Sequence, residues 1–183
     1  METTQNPRTQ EFSRVFKLSE LTGEAARQRL TATAAERAAV ASRLGLLDMM
    51  ALEANLVLRR GPVAGTYIVA GRVTAGIVQA CVVTLAPVES RLEADFETVY
   101  AADALAAAEG AGAADGGDAA EAPEIVVDGR IDLGEEVVQQ LACAIDPYPR
   151  AAGAEIDPRW RREGDETPDS GPFAALAKVR REP

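Results

Sequence analysis

The chain has 183 residues, a net charge of −10 and 47% hydrophobic residues, which is enough for one ordinary domain with tails. It has two cysteines and no histidine, so catalysis by a histidine base is excluded and a zinc site of four nitrogen or sulfur ligands cannot form. No signal peptide and no run of about 20 apolar residues is recognisable, so we expect a soluble, cytoplasmic protein without a membrane partner, metal or cofactor.

The acidic charge is concentrated in one block. Residues 1–92 carry 11 basic and 8 acidic side chains, residues 93–146 carry 1 and 14, and residues 147–183 carry 7 of each. The net charges of the three segments are therefore +3, −13 and 0. Because phosphate responds to local positive surface, the acidic charge of the whole chain does not exclude binding to nucleic acid.

After a polar N-terminus, residues 1–10, which is predicted to be flexible, two short strands and a helix are predicted. Alternating apolar residues predict a strand within 11–21, and residues 27–32 predict a second. Thr33 and Glu36 have the spacing of a capping box, and Gly45 is a plausible helix end. The side chains expected to be buried on the first strand are Phe12, Phe16 and Leu18.

The next part of the chain has the alternation of an antiparallel sheet, with strands predicted at 52–60, 66–84 and 91–101. A strand as long as the second must bend, and Gly71 and Gly76 are positions where it can. The side chains expected to face inward are Leu52, Ala54, Leu56, Leu58, Tyr67, Val69, Val73, Ile77, Cys81, Val83, Leu92, Ala94, Phe96 and Tyr100.

Residues 102–123 are a low-complexity run of alanine, glycine and acidic residues, which predicts a disordered spacer. A short strand with a turn at Asp128–Gly129 follows. Asp132 then begins a helix, and Glu135 suggests a second capping box. Leu133, Val137, Leu141 and Ile145 predict the stripe that packs on the sheet, whereas Glu136, Gln139 and Gln140 are expected to face water.

This helix ends at the sequence "DPYPR", in which Pro147 and Pro149 fix an extended exit. Such an exit holds Tyr148 and Arg150 at low entropic cost before a partner arrives, which makes them candidate partner-binding or RNA-binding residues. The alternative is structural: Tyr148 closes the core beneath it, and Arg150 pairs with an acid of its own chain.

Residues 151–183 are predicted to form an irregular tail that ends in a short amphipathic helix. Trp160, Arg161 and Arg162 are candidates for RNA contact, since arginine pairs with phosphate and tryptophan stacks on unpaired bases. The alternative is that Trp160 folds back onto the sheet edge, and six acids between residues 155 and 169 weaken the local positive field.

These elements together predict an α+β fold in one domain, residues 11–150. We expect an antiparallel, bent, barrel-like sheet with two short helices packed on it, an acidic disordered loop and the irregular C-terminal tail. Cys81 and Cys143 are interpreted as buried small hydrophobic residues, and the paired carboxylates as solvated faces. No enzymatic site is predicted.

A family resemblance goes further than these patterns. The runs "AGIVQACVVTLAPVESRLEADFETVY", "DGRIDLGEEVVQQLACAIDPYPR" and "GPFAALAKV", with an acidic gap after the first, resemble the YceD family. The resemblance runs from about Arg29 to Arg150, is weaker at the C-terminus, and looks like an alphaproteobacterial branch. The positions that carry it most directly are Cys81, Thr84, Asp132, Leu133, Pro147 and Pro149.

Many members of that family have a C-x-R-C motif where this chain has "CVVT". Cys81 fits the first cysteine, but Val83 replaces the arginine and Thr84 replaces the second cysteine. The resemblance therefore implies no metal or redox role for a cysteine pair here, and makes RNA contact through this strand doubtful.

The resemblance implies a non-enzymatic factor that supports accumulation of large-subunit ribosomal RNA or assembly of the ribosome. Its expected partners are large-subunit ribosomal RNA, a pre-ribosomal particle, a ribosomal protein, or a combination of these. The alternative from another class is an acidic adaptor between proteins that makes no contact with RNA.

Overall fold

The computed structural model of the protein describes residues 11–104, 106–107 and 122–155. The elements in chain order are β1 (Val15–Lys17), β2 (Ala25–Thr31), α1 (Ala34–Leu44), β3 (Asp48–Arg60), β4 (Thr66–Ala80), β5 (Pro87–Ala101), β6 (Glu124–Ile125), β7 (Arg130–Asp132) and α2 (Leu133–Ala144). A short 3-10 turn, Leu18–Glu20, follows β1, so the strand predicted there is shorter than expected and Leu18 lies outside it.

The main sheet has five strands in the order β2-β3-β4-β5-β6, and β1 pairs with β7 in a separate two-stranded sheet. All pairs are antiparallel except β5–β6, which is parallel at Tyr100–Glu124 and Ala101–Ile125. The α+β fold with a mainly antiparallel sheet is thus confirmed. The sheet is open, because β2 and β6 do not pair with each other, and it is barrel-like only in a loose sense.

The core lies between the inner face of the sheet, the two helices and the β1–β7 pair. The alternation predicted on β3 is confirmed, since Leu52, Ala54, Leu56 and Leu58 are all buried. On β5 the inward residues Leu92, Ala94 and Phe96 are only partly buried, while Tyr100 is 7% exposed. The other large fully buried side chains are Phe12, Val40, Val69, Val73, Ile77, Leu133, Val137 and Leu141.

Strand β4 ends at Ala80, so the predicted strand through residue 84 is too long. Cys81 instead begins a turn, in which its N–H donates to Ala86 O and its carbonyl oxygen accepts from Leu85 N. The predicted strand was too long because β-branched residues, which favour strands, continue past Cys81. A tight turn must nevertheless come here before β5 can pair with β4.

A register irregularity lies opposite Gly76, one of the two glycines at which a bend was predicted, but it is on the neighbouring strand β3. The register of β3 shifts between Met49 and Ala51, which face Ile77 and Gly76 of β4. Such a bulge increases local bending and twist. Gly71 allows β4 to lie close to β3, since a Cβ at this position would be 2.3 Å from a backbone carbonyl oxygen of β3.

Capping residues begin both helices and a glycine ends α1, but the second predicted capping box, at Asp132 and Glu135, does not form. Thr33 and Glu36 form the predicted capping box of α1, and Gly45 ends that helix with φ of 67°. Asp132 caps α2 by accepting from Gly134 N and Glu135 N. The Glu135 side chain bonds to the Arg43 guanidinium of α1, not back to the cap, and this ion pair joins the two helices.

The expectation that Glu136 faces water is wrong. Glu136 is 2% exposed and lies in the helix face that packs on the sheet, whereas Gln139 is exposed as predicted and Gln140 is half-buried. Cys143 is also a correction, because it is exposed, while Cys81 is buried as expected.

Several predictions fall on other parts of the chain. Of the predicted spacer 102–123, residues 105 and 108–121 lie outside the described residues, and Ala106 and Pro123 near its two ends are buried. The N-terminus predicted to be flexible, most of the predicted tail with its predicted short helix, and Trp160, Arg161 and Arg162 also lie outside the described residues.

Candidate contact surface at the proline corner

The exit of α2 is shaped by its two prolines. Ala144 is the last helical residue, and Ile145 already has an extended backbone, with φ of −67° and ψ of 131°. A residue before proline is pushed away from the helical conformation, so Asp146 cannot continue the helix into Pro147. The Asp146 carboxylate accepts a hydrogen bond from Tyr148 N at 2.8 Å, which fixes the first step of the turn.

The rest of the exit is hydrogen-bonded to the end of β4 and to the turn that follows it. Gln79 Nε2 donates to Asp146 O at 2.9 Å, and Val82 N donates to Pro149 O at 2.9 Å. Pro149 is buried, whereas Tyr148 before it is 72% exposed. Tyr148 is therefore held between two anchored residues with its side chain in solvent, and the alternative in which it closes the core is wrong.

Cys81 forms the third anchor. Its sulfur is fully buried and accepts from Val83 N and Thr84 N at 3.4 Å and from Ala151 N at 3.3 Å. The hydrogen bond from Ala151 contributes most to lowering the pKa of the Cys81 thiol to about 6, followed by the hydrogen bond with the Thr84 side chain. Cys81 thus joins the β4–β5 turn to the segment after Arg150.

Chemistry at a metal is not indicated by this geometry. Within residues 11–104, 106–107 and 122–155, no group of three or more cysteine, aspartate or glutamate side chains is placed to hold a metal ion. The second cysteine position of the family motif is Thr84, an exposed residue whose Oγ1 accepts from Ala86 N.

The turn after β4 displays two large apolar side chains beside this exit. Val82 is 46% exposed and Leu85 is 77% exposed. Leu85 also has φ of 61°, a left-handed conformation that costs a residue with a Cβ roughly 1–2 kcal/mol. We define the corner surface as four exposed residues of these two hydrogen-bonded segments, Val82, Leu85, Tyr148 and Arg150; Thr84, Asp146 and Pro147 beside them are also exposed.

The charge around the corner surface is acidic. Asp48 of β3 and Glu89 of β5 pair with Val78 from its two sides, so both lie at the same end of the sheet as the corner surface. Asp146 lies within the exit itself, and these three carboxylates and the Arg150 guanidinium are all exposed. The local net charge of these four groups is −2.

Two further residues of the family resemblance lie elsewhere. Asp132 and Leu133 are at the opposite end of α2, where Asp132 Oδ1 also accepts from Arg14 N at 2.7 Å and Leu133 is buried. Their contacts fasten the start of α2 to the segment around β1. The structure therefore places Cys81, Thr84, Pro147 and Pro149 in two neighbouring segments. Asp132 and Leu133 have a structural role at the start of α2.

A buried polar cluster was missed by the sequence reasoning. Tyr100 OH donates to Glu136 Oε2, while Thr98 Oγ1 and Gln140 Nε2 donate to Glu136 Oε1 at 2.6 and 3.0 Å. Burial and the neighbouring Glu136 raise the pKa of the Tyr100 phenol far above its usual range. Because Glu136 and Tyr100 are buried, this cluster orients α2 on β5 and has no access to a substrate in solvent.

Helical spacing did carry a signal for this cluster. Leu133, Val137 and Leu141 mark the buried face, and Glu136 and Gln140 stand immediately before the last two, on the flank of the same stripe. Leu85 has no comparable signal, since an exposed leucine in a turn belongs to no periodic pattern.

The comparisons with known proteins identify a family and nothing closer. Residues 69–180 match the family model described as Large ribosomal RNA subunit accumulation protein YceD. Neither a curated protein nor a solved structure matches. The described helices include none that is long and apolar enough to cross a membrane. The match covers more than half of the chain, from β4 through the C-terminal tail, and the chain therefore belongs to the YceD family of large ribosomal RNA subunit accumulation proteins.

Proposed function

We propose that this protein is a non-enzymatic cytoplasmic factor that supports accumulation of large-subunit ribosomal RNA by binding a pre-ribosomal particle through the corner surface. The family supports the role in large-subunit ribosomal RNA accumulation. The mode of action and the residues are our proposal, in which Tyr148 and Arg150 contact ribosomal RNA, a ribosomal protein or both.

The observation that carries this proposal is the display of Tyr148. A tyrosine that is 72% exposed adds nothing to the core, yet hydrogen bonds at Asp146, Pro149 and Ala151 hold its backbone on both sides. A side chain positioned before the partner arrives loses less entropy on binding. Tyrosine and arginine are also enriched among the residues that contribute most to protein interfaces.

Binding is favoured over catalysis by the placement of the unusual groups. The strongly perturbed phenol of Tyr100 and its partner Glu136 are enclosed in the core. The Cys81 sulfur is likewise buried, and its hydrogen bonds fasten one segment to another. Each of these groups has a structural use, whereas the side chains of Tyr148 and Arg150 make no hydrogen bond to the described part of the chain.

The test is the double variant Tyr148→Ala plus Arg150→Ala. We expect circular dichroism and the melting temperature to be nearly unchanged, because both side chains are exposed, and co-sedimentation with pre-ribosomal particles to be lost. Arg130→Ala, an exposed arginine on the strand before α2, is the matched control and should co-sediment like the unchanged protein. Normal co-sedimentation of the double variant would place the binding surface elsewhere.

The second candidate function is an acidic adaptor between proteins without RNA contact, and the net charge of −13 over residues 93–146 favours it. An adaptor of this kind would support ribosomal RNA accumulation indirectly, through the proteins that it joins. The ribosomal RNA profile of a deletion strain tests the cellular role, and salt-sensitive binding to ribosomal RNA separates the two candidates.

A further inference from the structure

We infer that the corner surface binds a basic protein segment that buries an apolar side chain against Val82, Leu85 and Tyr148, and that it does not bind RNA directly. This inference rests on the proposed function, since it takes the corner surface as the contact with the pre-ribosomal particle. It identifies the chemical class of the partner within that particle.

The composition of the corner surface favours protein over RNA. It presents three large apolar or aromatic side chains to solvent, since Val82 is 46%, Leu85 77% and Tyr148 72% exposed. Aliphatic side chains provide neither the positive charge that phosphate requires nor a ring on which a base can stack. Burying exposed aliphatic and aromatic side chains against another apolar group is favourable in a protein interface.

The conformation of Leu85 supports a role outside the domain. A leucine with φ of 61° is strained, and glycine or asparagine would occupy that conformation more easily. The side chain gains nothing from burial in return, because it is 77% exposed. The fold therefore gives no reason for leucine at this position, whereas contact with a partner does.

The charges around the corner surface also favour a basic protein segment. The exposed carboxylates of Asp48, Glu89 and Asp146 surround the end of the sheet, and Arg150 is the basic member of the corner surface. A net negative surface repels a phosphate backbone and attracts lysine and arginine side chains. Arg150 can pair with a carboxylate or a backbone carbonyl of the same segment.

The variant that tests the inference is Leu85→Asn. Asparagine tolerates the left-handed conformation, so the turn is kept while the apolar side chain is removed. Val127→Thr is the control, because Val127 is 69% exposed in the turn before β7 and threonine keeps the β-branch of valine. The probes are the individual large-subunit ribosomal proteins, freed of RNA and separated, and large-subunit ribosomal RNA transcribed in vitro.

We expect the full chain to bind at least one of these proteins, and Leu85→Asn to weaken that binding about tenfold or more, as expected for a central interface residue. Val127→Thr should leave the affinity within about twofold. The melting temperature of Leu85→Asn should not fall, which separates lost contact from lost folding.

Two other outcomes overturn the inference and are distinguishable from failure of the proposed function. Unchanged protein binding by Leu85→Asn shows that the corner surface is not the docking site. Binding to the RNA alone, sensitive to Arg150→Ala and insensitive to Leu85→Asn, replaces protein with RNA as the partner but keeps the proposed function. If the unchanged chain binds neither probe and does not co-sediment with pre-ribosomal particles, the proposed function itself fails.

Discussion

Tyr100→Phe should destabilise the protein although it removes a single oxygen atom. The Tyr100 hydroxyl donates to Glu136 Oε2, while the other two donors, Thr98 and Gln140, are on Oε1. Glu136 is 2% exposed, so solvent cannot replace the lost donor. A buried acceptor left without a partner costs about 1–3 kcal/mol. For a chain of this size, about 2 kcal/mol corresponds to a melting temperature lower by roughly 4–8 °C.

The measurement is urea unfolding followed by circular dichroism, with Tyr67→Phe as the matched control. Tyr67 packs against the core, but its hydroxyl makes no hydrogen bond to the described part of the chain, so its loss should cost less than about 0.5 kcal/mol. The double variant Tyr100→Phe plus Glu136→Leu should lose less stability than the sum of the two single losses, because the hydrogen bond between Tyr100 and Glu136 can be lost only once. Equal losses of stability in Tyr100→Phe and Tyr67→Phe would refute the reasoning. A double variant whose loss is the full sum of its two single losses would refute it as well.

Three more predictions concern the helices. Leu141→Ala, which empties a fully buried position of α2, should lower the free energy of unfolding by about 2–5 kcal/mol, whereas exposed Gln139→Ala should change it by less than about 0.5 kcal/mol in the same urea titration. Gly134→Ala should destabilise by about 1–3 kcal/mol in spite of the higher helix propensity of alanine, because its Cβ would lie 2.3 Å from a backbone oxygen, while Gly23→Ala, with open space around it, should be nearly neutral by thermal melting. The hydrogen-bonded guanidinium of Arg14 lowers the pKa of Glu36 to about 2. The stability that this carboxylate contributes to the fold is therefore present above about pH 4.5 and is lost as the pH falls towards 2. Glu36→Gln should therefore flatten the fall in stability over this range, and parallel pH profiles of the two proteins would contradict the assignment.

Local patterns were sufficient for most elements of the fold. The strand at 52–60 and the cap at Thr33 follow from alternation and capping chemistry, which depend on neighbours in sequence. The parallel pairing of β6 could not be predicted, because it depends on where the chain returns after the acidic segment. The sequence predicted only a bend in β4 and not the bulge on β3. The bulge is a shift of register between the two strands, which neither strand shows by itself.

The candidate site was predictable only in part, for a physical reason. The prolines of "DPYPR" restrict the backbone locally, so the extended exit and the exposure of Tyr148 could be anticipated. Val82 and Leu85 join it through hydrogen bonds between segments nearly 70 residues apart, which a pattern within either segment cannot show. Glu136 was misplaced because its type suggested solvent, whereas its position on α2 and its partners on β5 determine its burial.

The pairing of β1 with β7 has a consequence for how the chain folds as it is synthesised. Val15 pairs with Asp132, so β1 leaves the ribosome with its partner still to be made, roughly 115 residues and about 6–23 s later. The strand pairs from β2 to β5 can form in the meantime, because the next strand along the chain is in each case the neighbour in the sheet. Phe12 and Phe16 remain uncovered until Ile131 and α2 emerge. We therefore expect a nascent chain stalled before residue 130 to expose these phenylalanines to chaperones, and the complete domain to withdraw them.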